Sequence, residues 1–77
     1  MRMLYIAPRE HFDKCIVRID TKRECVMYDY ELLVETYIEL GMSYTEAVDW
    51  VNYNIIGAEL NKYYPKVILR DHDGKEI

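Results

Sequence analysis

The two histidines of the chain each stand beside carboxylates. His11 lies in "REHFD", two positions before Asp13, and His72 lies between Asp71 and Asp73 in "RDHDG". Imidazole and carboxylate groups bind divalent metal ions and act as general acids and bases. If the two segments are neighbours, these residues predict a small metal-dependent or hydrolytic site. Their spacing matches no established metal motif, so this is the alternative hypothesis.

The rest of the sequence shows no other catalytic pattern. No nucleophile has a base at a recognisable spacing, and the three glycines form no phosphate-binding loop. Cys15 and Cys25 flank a predicted hairpin out of register, so we expect two free, half-buried thiols rather than a disulfide. We therefore predict that the protein is not an enzyme and holds no cofactor.

Charge is divided unevenly along the chain. Eight of the 14 acidic residues lie between Glu24 and Asn61, a segment without lysine or arginine, whereas the rest of the chain holds all ten basic residues. An acidic surface repels phosphates, so direct binding of DNA or RNA is not expected. It would suit a protein partner with a basic surface, because opposite charge accelerates the encounter.

The acidic side chains recur at helical spacing. Glu31, Glu35 and Glu39 are four residues apart, so they line one helical face, where like charges cost about 0.2–0.5 kcal/mol per pair. A helix selected for stability alone would usually intersperse lysines there. Acidic helices also keep small proteins soluble, so the face is interpreted either as a binding surface or as a solubilising one.

Aromatic residues accompany the acids in the stretch "GMSYTEAVDWVNYN", residues 41 to 54. Trp50 and Tyr53 lie beside Glu46 and Asp49 rather than on the apolar stripe, and these aromatic types often carry the binding energy of interfaces. A thin core also recruits aromatics, so Trp50 is interpreted either as a core-edge residue or as a binding anchor. The predicted partner-binding residues are Glu31, Glu35, Glu39, Glu46, Asp49, Trp50 and Tyr53.

Strand-like segments stand on both sides of this acidic region. Residues 14–20 and 24–28 alternate apolar and polar side chains and should pair antiparallel across the turn "DTKR", with residue 19 opposite 24. Residues 66–71 should form a last strand, and residues 4–7 could form another short one.

Two helices are predicted between residues 29 and 54. Asp29 is a good N-cap, and Gly41 is a typical C-terminal glycine. Ser43 and Glu46 form the S-x-x-E capping box of the second helix, so the two should pack as a tight antiparallel pair. Their apolar stripes are Tyr30, Leu33, Val34, Tyr37 and Ile38, then Ala47, Val48, Val51 and Ile55. The fold class predicted is α+β: a small, mostly antiparallel sheet of about three strands, covered on one face by a helical hairpin.

The chain length of 77 residues fits a single domain, residues 1–77, with a thin core. No run of about 18 apolar residues is present, as a membrane-spanning helix would require. The apolar run near the N-terminus is too short for a signal peptide. We expect a cytoplasmic protein that does not bind a membrane.

Short motifs follow one another along most of the chain: "HFD" (11–13), "YD" (28–29), "GMSYTEAVDWVNYN" (41–54), "GA" (57–58) and "P-x-V-I" (65–68). In this order they resemble a set of small uncharacterised proteins from bacteriophages and bacterial mobile elements. The chain departs from that pattern after Ala58, where "ELNKYYP" replaces a second glycine and a Thr-Pro pair. The resemblance implies a phage-like origin, a host-cytoplasm location and an α+β fold, and it brings no catalytic residues.

Three functional hypotheses follow. The first is a non-catalytic interaction protein that inhibits a host nucleic-acid-binding or defence complex, of the anti-CRISPR or anti-restriction type, through its acidic helical face. The second is the metal-dependent or hydrolytic protein that uses His11, Asp13 and Asp71–Asp73. The third is a homodimer with a purely structural role.

Overall fold

Three helices and three strands make up the described part of the chain, residues 4–58 and 65–69 of a computed structural model. They are α1 (Arg9–Phe12), β1 (Ile16–Asp20), β2 (Cys25–Asp29), α2 (Tyr30–Glu39), α3 (Tyr44–Trp50) and β3 (Lys66–Ile68). A 3-10 turn, Asp13–Cys15, precedes β1, while a π-helical turn, Val51–Ile55, and a 3-10 turn, Ile56–Ala58, follow α3. The predicted α+β fold is confirmed.

Strands β1 and β2 form an antiparallel hairpin whose turn is organised by Asp20. Its Oδ1 atom accepts hydrogen bonds from two backbone N–H groups of the turn, each at 3.1 Å. Glu24 has a left-handed φ of 54°, so it belongs to the turn rather than to β2. Asp20 therefore pairs with Cys25, and Ile19 with Val26. The predicted register, with residue 19 opposite 24, is wrong.

Strand β3 pairs with the other edge of β2 and runs parallel to it, which makes the sheet mixed, in the order β1-β2-β3. Asp29, the last residue of β2, pairs with Ile68, the last residue of β3. Because the two strands end together, residue Leu69 emerges beside the start of α2. Residues 70 and 71 of the predicted last strand lie outside the described residues.

Helix α2 begins and ends as its sequence predicts. Asp29 Oδ2 accepts a hydrogen bond of 3.2 Å from the backbone N–H of Leu32. At the other end, Gly41 has a φ of 112°, and its N–H donates to the carbonyl of Ile38 at 3.0 Å. The N–H of Met42 donates to the carbonyl of Tyr37 at 3.1 Å, which completes a Schellman motif.

Helix α3 begins at the predicted capping box. The backbone N–H of Ser43 donates to the Glu46 carboxylate, and the N–H of Glu46 donates to the Ser43 hydroxyl, both at 3.2 Å. The helix packs on α2, as expected for so short a connection. Within residues 4–58 and 65–69, no helix is long and apolar enough to cross a membrane.

The core lies between one face of β2 and the helical pair. Val26 and Tyr28 alternate along β2 and join a buried cluster with Phe12 of α1 and the inward residues of α2 and α3. Phe12 packs against Tyr37 with ring centroids 4.8 Å apart. Of the predicted inward residues, Ile38 is instead partly exposed. Thr36 is buried in its place.

The predicted strand at residues 4–7 does not form. Instead, the backbone N–H of Ile6 donates a hydrogen bond of 2.9 Å to the hydroxyl of the buried Tyr28. A side chain, rather than a strand ladder, therefore attaches this segment to the sheet, and periodicity carries no signal for such a contact.

Candidate protein-binding surface

The three glutamates of α2 all point to solvent, because the helix buries the opposite face. They are not equivalent. Lys14 Nζ, from the turn before β1, lies 2.9 Å from Glu39 Oε2, and this hydrogen bond raises the pKa of Lys14 above its usual value. A lysine from outside the segment between Glu24 and Asn61 therefore pairs with one glutamate of this row. Among the described residues, Glu31 and Glu35 have no ion-pair partner.

The acidic and aromatic residues of the second helical segment surround one shallow depression of about 380 Å³. Its lining includes Glu46, Asp49, Trp50 and Tyr53, and we call this the α3 surface. α3 and the following π-helical turn bury Ala47, Val51 and Ile55, and Val48 packs against the core. The other residues between them are exposed. Tyr53 is 80% exposed.

Trp50 belongs both to the edge of the core and to the α3 surface. Its ring lies 6.1 Å from that of Tyr37, a tilted aromatic contact, yet 43% of the residue remains exposed. The two interpretations of Trp50 are thus compatible. A tryptophan held in place by the core loses little conformational freedom when a partner covers its open face.

Glu46 has a structural role in addition to its place on the α3 surface. Its carboxylate accepts the hydrogen bond from the backbone N–H of Ser43, and this bond is the main cause of a lowered pKa of Glu46. The carboxylate is therefore charged at neutral pH and fixed in position. Asp49, one turn further along the helix, has no ion pair or hydrogen bond with any described residue.

A second depression of about 430 Å³ separates α2 from the end of β3. Glu31 and Glu35 line it together with five apolar or aromatic residues, and we call it the α2–β3 groove. These five are Tyr30, Val34, Ile38, Tyr44 and Leu69.

The structure thus divides the seven predicted binding residues among three places. Glu46, Asp49, Trp50 and Tyr53 share the α3 surface, Glu31 and Glu35 line the α2–β3 groove, and Glu39 pairs with Lys14. Sequence reasoning missed the contribution of Tyr44 and Leu69. Tyr44 could have been found, since it is the first helical residue after an N-cap and is followed by polar positions. Leu69 could not, because its place depends on the parallel pairing of β3.

The residues of the metal-site hypothesis are placed only in part. Asp13 forms an ion pair with Arg9 at 3.1 Å, and His11 lies 4.0 Å from Glu10, both exposed on α1 and the turn after it. Residues 71–73, which supply Asp71, His72 and Asp73, lie outside the described residues. In the part of the chain that the structure describes, no group of three or more histidine, cysteine or acidic side chains is placed to hold a metal ion.

Both cysteines are free, as predicted, but they are fully buried rather than half-buried. Cys15 Sγ lies 3.3 Å from Thr36 Oγ1, and the Thr36 hydroxyl donates to the carbonyl of Leu32 at 2.7 Å. Burial raises the pKa of the Cys15 thiol above its ordinary value of 9.0. A protonated, inaccessible thiol is a poor nucleophile, so Cys15 acts here as a core residue.

Comparison of the chain with protein-family models, with curated proteins and with solved structures finds no match. The resemblance to small phage and mobile-element proteins therefore stays a prediction.

Proposed function

We propose that the protein is a non-catalytic interaction protein that binds a partner with a basic surface through the helical pair α2 and α3. One observation carries the proposal: Trp50 and Tyr53 are exposed on the α3 surface beside the carboxylates of Glu46 and Asp49. Exposed aromatics flanked by charge are typical of interface hot spots, where an apolar ring is covered and the charged rim fixes orientation.

The charge on these helices supports the same proposal. Neither α2 nor α3 contains a lysine or arginine. The exposed charged side chains that these two helices contribute are all carboxylates, and they would steer a basic partner toward the helical pair. Such steering acts on the association rate and weakens as salt screens the charges.

The partner we propose is a host nucleic-acid-binding or defence complex, met in the cytoplasm of a bacterial cell. Such complexes hold phosphates in basic grooves, and a small acidic protein can occupy the groove in their place. The support for this class of partner is the small size of the chain, its acidic helices and the resemblance of its motifs to phage proteins. An anti-CRISPR or anti-restriction role belongs to this class.

The experiment begins with capture of the partner from a bacterial host lysate, followed by binding kinetics with the purified pair. Asp49→Lys should slow association strongly, whereas Glu10→Lys, the same charge change at an exposed site on α1, should slow it far less. Tyr53→Ala should mainly accelerate dissociation, because it removes a hot spot rather than a charge.

The combined variant Glu31→Lys, Glu35→Lys and Glu39→Lys should abolish binding while the fold remains intact. Equal effects of Asp49→Lys and Glu10→Lys would show that only net charge matters. The acidic face would then serve solubility, and the proposal would be rejected.

A further inference from the structure

We propose that the α2–β3 groove is a docking site for a partner segment in which one large apolar side chain stands beside arginine or lysine. This inference rests on the proposed function, because it specifies the chemistry of a partner that the acidic helices bind. It concerns a surface separate from the α3 surface, because no residue that lines one of the two depressions lines the other.

The groove has an apolar floor that is partly exposed in the part of the chain that the structure describes. Ile38 is 38% exposed and Leu69 is 51% exposed, and both lie beside the buried Val34. Tyr44 is 69% exposed at the start of α3. An apolar side chain that covers such a floor displaces water from it favourably.

The rim of the groove carries two carboxylates that form no ion pair within residues 4–58 and 65–69. Glu31 and Glu35 are one helical turn apart and have no ion-pair partner among the described residues. Lys14 is already paired with Glu39, so it does not neutralise them by direct contact. Two neighbouring carboxylates at the edge of an apolar floor can be matched by one guanidinium, whose planar donors bind carboxylates in a fixed geometry.

The two features together select the chemistry of the occupant. A purely apolar segment would desolvate the Glu31 and Glu35 carboxylates without giving them a partner, which is unfavourable. A purely cationic segment would leave the floor in water and gain only screened surface attraction. A segment with both groups covers the apolar floor and gives the carboxylates of the rim a cationic partner. The aliphatic stem of its arginine can lie on Tyr30 or Tyr44 while the charged end reaches a carboxylate.

The test uses the full chain and three fluorescent synthetic peptides of equal length. The first carries one leucine flanked by arginines, the second replaces that leucine by serine, and the third replaces the arginines by glutamine. Fluorescence anisotropy should show the first peptide binding at least about tenfold more tightly than either of the others. Glu35→Gln and Tyr44→Ala should each remove that advantage.

Matched variants separate the groove from other effects. Glu10→Gln removes an exposed carboxylate outside the groove, and Ile19→Ala removes an exposed apolar side chain of β1 that lines neither the groove nor the α3 surface. Both should leave the affinity for the first peptide within about twofold of that of the unchanged protein. Circular dichroism of each variant would identify any loss of folding.

Three results would overturn the inference. If the serine peptide binds as tightly as the leucine peptide and both need Glu35, the groove is only a charged surface, and the proposed function stands. If Glu35→Gln and Tyr44→Ala leave binding unchanged, the peptide binds elsewhere. If the unchanged protein binds none of the peptides, the groove is not a site for this chemistry. The kinetics of Asp49→Lys with the captured partner still decide the proposed function.

Discussion

The Nζ atom of Lys14 lies 2.9 Å from the Oε2 atom of Glu39, and this pair divides the row of glutamates on α2. Both side chains are exposed, and exposed pairs contribute little to stability. Lys14→Met should therefore leave the urea midpoint of unfolding almost unchanged. It should make association with the captured partner faster and more dependent on salt, because Glu39 is released. A large fall in the urea midpoint would show that the pair is structural.

Removing the N-cap of α3 should destabilise the protein. Ser43→Ala removes the hydroxyl that accepts the Glu46 N–H, and the free energy of unfolding should fall by about 0.5–2 kcal/mol. Thr45→Ala, at an exposed position in the first turn of the same helix, is the control and should have a much smaller effect. Equal urea midpoints for the two variants would contradict the role of the cap.

The capping carboxylate should also give the protein a pH dependence. The pKa of Glu46 is lowered in the folded protein, mainly by the hydrogen bond from the Ser43 backbone. Its stabilising contribution is therefore complete above the unfolded pKa, near 4.5, and is lost as the pH falls through the folded value. Glu46→Gln should lose less stability than the unchanged protein as the pH falls from about 4.5 through the folded pKa of Glu46. Parallel pH profiles of unfolding for the two proteins would reject this assignment.

Tyr28→Phe should be costly although it deletes only one oxygen atom. The buried Tyr28 hydroxyl accepts a hydrogen bond from the backbone N–H of Ile6. When the hydroxyl is removed, this N–H loses its acceptor. An unsatisfied buried donor costs about 1–3 kcal/mol, which a denaturation curve can resolve. Tyr53→Phe deletes the same atom at an exposed site and should have almost no effect. If water replaces the lost acceptor, the two variants will be equally stable.

Both thiols should be unreactive in the folded protein and fully reactive after unfolding. Cys15 and Cys25 are free and have no exposed surface, so a thiol reagent should modify them only as fast as the structure opens. Titration of the unfolded, non-reduced protein should recover both thiols. Rapid modification of either cysteine under native conditions would show that it is less protected than the structure indicates.

The helical half of the fold could be predicted from the sequence because its signals are local. Asp29 and Ser43 cap the two helices, and Gly41 ends the first through a backbone conformation that disfavours other residues. The spacing of Glu31 and Glu35 likewise placed them on an exposed face. Each of these features depends on residues within four or five positions of one another, so chain geometry alone fixes them.

The hairpin register was decided by a side chain rather than by the strand pattern. The Asp20 carboxylate accepts hydrogen bonds from two backbone N–H groups of the turn, and Glu24 takes a positive φ. The turn is therefore longer than predicted, and every residue pair along β1 and β2 is shifted from its predicted register. The strand alternation is compatible with more than one register, so it could not choose between them.

Local patterns along the chain were enough to predict the α+β class, the two capped helices, the free thiols and acidic side chains on the helical half. Which of these acids lie together depends on contacts between distant residues. The parallel pairing of β3 with β2 places Leu69 beside α2, where it joins Glu31 and Glu35 in one groove. Folding also places Lys14 against Glu39, which is 25 positions away. Contacts between distant residues depend on strand direction and packing, and the spacing of residues along a chain does not encode either of these.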